Sequence, residues 1–155
     1  MPTRTELRQE LVDTLRENKL PQTIGFLHVV RSAAPGFITR PVGYCCLGVA
    51  CKIAVDHGIL PDGVHVGTDT AAAKDALPRV EGFGSELQRK VLPTEVVDLY
   101  GFKSRDGTYY SATDVMTNSL STLNDAHVPF PEIANAIVRH QREIFHFTTD
   151  DKPIV

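Results

Sequence analysis

Cysteine is scarce in this chain and tryptophan is missing: of 155 residues, three are cysteine and none is tryptophan. Cys45, Cys46 and Cys51 lie close together along one predicted helix. An odd number so placed excludes a disulfide framework, because sequence neighbours are badly oriented to bridge each other. Long apolar runs are missing too. The longest, near Leu47 to Val55, falls far short of the roughly 20 residues of a membrane-crossing helix. The opening residues Met1 to Glu6 carry charges of both signs and no apolar stretch, so no secretory leader and no membrane are expected, and the expected compartment is the cytoplasm. Nor is there a dense basic run, since the net charge is +2 over residues 1–57 and −5 over residues 58–155. Nucleic-acid binding rests on basic surface that displaces counterions from phosphates, and this balance disfavours it.

What is present is a globular composition, 42% hydrophobic and 23% charged. One domain of this length buries roughly 70% of the surface its unfolded chain exposes, enough to need no covalent staple. The expectation is a single domain over residues 1–147, with an irregular, mobile segment at 59–91 and a frayed tail at 148–155. The run from Gly43 to Val55 is apolar or small almost all the way round, interrupted by Lys52 and followed by Asp56. Such a segment predicts a helix from Cys45 to Asp56 in the middle of the fold.

Thr3 and Glu6 have the spacing of a capping box, and Leu7, Leu11, Val12 and Leu15 then mark an inner face, with Arg4, Arg8, Glu10, Asp13 and Glu17 outside. Residues Thr23 to Arg31 read as a short strand, and Val64 to Val66 as a small ribbon. Pro93 suits the first helical position of a segment stopped by Gly101. Thr108 to Tyr110 reads as extended, Ser111 or Thr113 as the cap of a helix through Leu123, and a last helix runs from near Pro131 to about Phe145. The predicted fold is α+β and predominantly helical, one compact domain around the central helix with one or two short β elements.

Three separated segments have a combined pattern: Tyr44-Cys45-Cys46-Leu47-Gly48-Val49, then Leu92-Pro93-Thr94-Glu95-Val96-Val97 before Tyr100-Gly101-Phe102, then Leu120-Ser121-Thr122-Leu123-Asn124-Asp125 before Phe130-Pro131-Glu132-Ile133-Ala134. Their order and content resemble a family of small proteins encoded by bacteriophages and prophages, marked by a Cys-Cys-Leu-Gly-Val helix and a later Leu-Asn-Asp preceding Phe-x-Glu-Ile-Ala. The resemblance implies a phage or prophage setting and a bacterial host. It implies no reaction.

Cys45 and Cys46 open a helix, where the dipole favours thiolate. A cysteine-dependent hydrolase would further need a base such as His28, His57, His65 or His127, oriented by Asn124 or Asp125. Against this, free cysteine is among the most buried residue types, and Cys46 shares a helical face with Val49, Ala50 and Ile53, so packing is the expected role. Cys46, Cys51, His57 and His65 lack the paired spacing of a zinc site, and neither a metal nor a cofactor is expected. Phe130 to His140 resembles the start of a helix-turn-helix, but no recognition helix follows it. Asn124-Asp125 reads as a turn former, with the Asp125 carboxylate placed to accept N–H groups from the cysteine helix. The functional expectation is a non-catalytic accessory protein that binds a host protein or a small signalling molecule. Tyr44, His65, Asn124 and Asp125 are the binding candidates, and the segment 59–91 is the place for it.

Overall fold

The computed structural model describes residues 1–33, 40–66, 78–110 and 117–155. The capping box forms as expected: the Thr3 hydroxyl accepts from the Glu6 N–H and the Glu6 carboxylate accepts from Thr3, opening α1 (Arg4–Glu17). The strand β1 (His28–Arg31) pairs antiparallel with β2 (Gly43–Tyr44), and the chain then turns directly into α2 (Cys46–Asp56). Next come β3 (Val64–Val66) and β4 (Arg79–Gly82), which complete an antiparallel sheet in the order β2-β1-β4-β3. Part of the expected irregular segment is therefore strand. Its residues 67–77 lie outside the described residues.

α3 (Thr94–Tyr100) starts after Pro93, which is the N-cap rather than the first helical residue, and stops at Gly101 in the left-handed conformation. β5 (Thr108–Tyr110) pairs with β6 (Thr117–Ser119) as a second, two-stranded sheet. The helix expected through Leu123 begins only at α4 (Leu120–Asp125), because residues 117–119 are held extended against β5 and the Ser119 hydroxyl supplies the cap to the Thr122 N–H. Ser111 and Thr113 lie outside the described residues. The last expected helix is two, α5 (Phe130–Arg139) and α6 (Gln141–Ile144), broken at His140, whose ring stacks on Tyr109 at 4.4 Å. With six strands in two sheets among the described residues, the fold is α+β rather than predominantly helical.

The core forms around α2. Cys46, Leu47, Val49, Ala50, Cys51, Ile53 and Ala54 are all buried, and α1, α3 and α4 pack on the helix. Gly48 permits the closest approach: a Cβ at that position would stand 1.8 Å from the Leu27 carbonyl oxygen, so the helix rests on backbone rather than on side chains. Only glycine admits that contact.

Two expectations fail together at the other end of the molecule. Arg8 lies on the inner face of α1, fully buried between the rings of Phe145 and Phe147 at 4.7 and 4.8 Å. Its Nε donates to the Tyr100 carbonyl at 2.8 Å and its Nη2 to the His146 carbonyl at 2.7 Å. Nη1 lies 3.5 Å from Asp151 Oδ2 without a hydrogen bond. Burial, partly offset by Asp151, lowers the Arg8 pKa to about 10. The tail that meets this cation is not frayed. Ile154 is buried, its N–H donates to Gln141, and the Val155 carbonyl accepts from Gln9 and Arg16. A buried charge needs a partner, and residues 148–155 bring it.

Candidate functional site

The thiols come first, because the residue pattern pointed to them. Cys45 is the N-cap of α2, and its Sγ accepts from the Gly48 N–H at 3.3 Å. Cys46 donates from Sγ to the Leu120 carbonyl at 3.5 Å. Both are buried, at 6% and 2% exposure. Burial dominates their ionisation: it pushes Cys45 up to about 12 and raises Cys46 and Cys51 well above the ordinary thiol value, outweighing the N–H groups that favour thiolate. At neutral pH these are protonated packing groups. The helix N-terminus was expected to lower their pKa, but desolvation is the larger effect.

The Asn124-Asp125 pair also differs from expectation. Asn124, not Asp125, receives the start of the cysteine helix. Its Oδ1 accepts from the Cys46 N–H at 3.1 Å and from Gln22 Nε2 at 3.1 Å, and its Nδ2 donates to the Thr23 carbonyl at 2.7 Å. Fully buried, it fastens α4 to α2 and to the segment before β1. Asp125 instead accepts from the Gly25 N–H at 2.9 Å. Both residues are structural ties between segments distant in sequence. The zinc candidates do not converge either, since His57 bonds Glu10 at 2.7 Å while Cys46 and Cys51 are inside the core. Among the described residues no three potential ligands are placed to hold a metal ion.

Tyr44 and His65, by contrast, are brought into one constellation. The register puts His28 opposite Tyr44 and His65 opposite Glu81, and the pairing of Val29 with Val80 sets His28 beside Glu81. Tyr44, His28, Glu81 and His65 thus form a single row across all four strands, one residue from each. Directly opposed residues of adjacent strands stand close enough for their side chains to touch. The Tyr44 and His28 rings stack at 3.9 Å, nearly parallel. His28 Nδ1 lies 3.2 Å from Glu81 Oε2, and His65 Nε2 lies 3.6 Å from Glu81 Oε1. Among the described residues neither contact is a hydrogen bond, and His28 Nδ1 is buried without one. Sequence alternation in β4, where Val80 turns in and Glu81 turns outward, was the available signal for Glu81.

Tyr44, His28 and Glu81 of this row form one wall of a cleft of about 360 Å³, near the lower end of the roughly 300–1,000 Å³ usual for small-molecule sites; His65 stands beside it. α2 supplies the facing wall through Lys52, Val55 and Asp56, and the loop before β3 adds Asp62 and Gly63. Burial, with the charges of Glu81 and Asp56, raises the Tyr44 pKa, so its phenol remains a neutral hydroxyl at physiological pH. Among the described residues the lining holds no serine, threonine or cysteine to act as a nucleophile. The chemistry available is hydrogen bonding, charge and ring contact.

No helix among the described residues is long and apolar enough to cross a membrane. Comparison with known proteins finds no matching family model, no matching curated protein and no matching solved structure.

Proposed function

We propose that this chain is a small accessory protein of phage or prophage origin, working in the cytoplasm of a bacterial host by binding rather than by catalysis, and that its ligand is a small polar molecule held in the cleft beside Tyr44, His28 and Glu81. The observation that carries this reading is the cross-sheet row. Three polar side chains of the row, Tyr44, His28 and Glu81, share one concave surface with His65 against the outer oxygen of Glu81, whereas the thiols that a hydrolase would use are packed inside. A concave site of this size suits a molecule of few atoms better than a protein surface, which favours sequestration over docking to a host protein. The setting rests on the resemblance carried by the Cys45 to Val49 and Asn124-Asp125 segments.

Histidine-ring NMR tests it. During titration with a library of small polar metabolites, at least one should move the His28 and His65 ring signals saturably and leave those of His57, His127, His140 and His146 in place. A library in which every responder acts at the other histidines, or in which none responds, contradicts the proposal.

A further inference from the structure

We infer that the cleft selects a small organic cation, a primary ammonium or guanidinium group on a short carbon chain, with Glu81 as its principal acceptor; this rests on the binding function proposed above. Among the described residues the lining carries three carboxylates, Asp56, Asp62 and Glu81, against one ammonium, Lys52. That ammonium is already engaged, since Lys52 Nζ bonds Asp56 Oδ2 at 2.5 Å along the same helix. Among the described residues, neither Asp62 nor Glu81 has a lysine or arginine within ion-pair reach. The cleft is therefore electronegative.

Glu81 is the unusual member. Its side chain is only 19% exposed, yet among the described residues no hydrogen bond reaches its carboxylate, which has the His28 and His65 imidazoles within 3.2 and 3.6 Å. A charged N–H donor would give that carboxylate a strong, short bond. The carboxylate lies directly beneath the loop before β3: a Cβ on Gly63 would stand 2.2 Å from Glu81 Oε2 and 2.9 Å from the Phe83 ring. The rings of Tyr44 and Phe83 line the same space, and aromatic faces attract organic cations. Nucleotides and other polyanions meet the wrong sign of charge. Among the described residues Asp56, Asp62 and Glu81 do not form a metal-coordinating cluster with the histidines.

The test titrates the intact protein with putrescine and agmatine, with butanediol and succinate as neutral and anionic matches, and follows the His28 and His65 ring signals. At least one of the two cations should move both signals saturably, and butanediol and succinate should leave them still. Glu81→Gln should weaken the responding cation by at least about tenfold, the effect of losing one charge-assisted bond. Should Glu81→Gln fail to fold, Asp62→Asn on the exposed loop should weaken it by about threefold through the lost charge. Unchanged affinity in a folded Glu81→Gln variant, or in Asp62→Asn where that stands in, overturns the inference. So does saturable binding of succinate or butanediol with none of either cation, a result that leaves the cleft a binding site of another class. Silence of both histidines to all four probes and to the metabolite library overturns the binding function as well.

Discussion

Replacing Gly48 by alanine sets two effects of opposite sign against each other. Helix propensity alone favours alanine inside α2 by about 1 kcal/mol. The new methyl, however, would stand 1.8 Å from the Leu27 carbonyl oxygen and 2.6 Å from its carbon, both backbone atoms that cannot swing aside. Restoring ordinary contact requires the helix and the segment before β1 to part by about 1.5 Å. Overpacking of that kind costs about 1–3 kcal/mol, and the separation also strains two hydrogen bonds worth about 1 kcal/mol each. Those bonds run from the Cys45 N–H to the Leu27 carbonyl and from the Leu27 N–H to the Arg89 carbonyl. The net expectation for Gly48→Ala is a loss of about 2–4 kcal/mol, a large part of the 5–15 kcal/mol typical of a domain. In urea unfolding followed by far-ultraviolet circular dichroism, the midpoint should fall by about 1–2 M at unchanged slope. A variant as stable as the parent, or more so, would refute the placement of α2 directly on the Leu27 backbone.

Other perturbations separate structural ties from bystanders. Asn124→Ala should cost about 3 kcal/mol by urea unfolding, because it strips partners from the Cys46 N–H, Gln22 and the Thr23 carbonyl, whereas Asp125→Ala, losing one bond near the surface, should cost under about 1 kcal/mol. Arg8→Ala should cost about 3 kcal/mol or more and, in hydrogen exchange, strip protection from the amides of residues 148–155, since the buried cation holds the Tyr100 and His146 carbonyls and faces Asp151. Alkali should destabilise the protein. Cys45 keeps its proton up to about 12 when folded, against an ordinary value of 9.0, so above pH 9 the native state binds more protons than the unfolded one. The stability is fully present below that ordinary value and is lost as pH rises toward the folded one, at about 1.4 kcal/mol per pH unit per thiol. Cys45→Ser keeps a capping oxygen without a titrating thiol, and should flatten the decline by one thiol's share; an unchanged slope contradicts the burial of that sulfur.

The elements that were legible in sequence are those whose cause is local or whose face is unmistakable. The Thr3 and Glu6 box announces α1, and the absence of a polar face on Cys46 to Val55 announces an interior helix. What escaped depends on contacts across the chain. Arg8 precedes Val12 by four and Leu15 by seven, so it lies on the apolar face, but a cation there looks external until Phe145, Phe147 and Asp151 are seen to enclose it. The same blindness made the Thr148 to Val155 segment read as loose. In the Asn124-Asp125 pair, sequence marks a polar turn but not which side chain points inward. The cleft was hidden for a related reason: its wall belongs to a row drawn one residue from each of β1 to β4, and strands of two to four residues carry too little periodicity to reveal that Tyr44, His28, Glu81 and His65 share it.

Counting reactive thiols in the native protein separates a scaffold helix from a catalytic one. With Ellman's reagent at neutral pH, none of Cys45, Cys46 and Cys51 should react within minutes, and all three should react once urea unfolds the chain. Rapid reaction of Cys45 or Cys46 in the folded protein would contradict the sealed interior, and would move the working site from the Glu81 cleft to the start of α2.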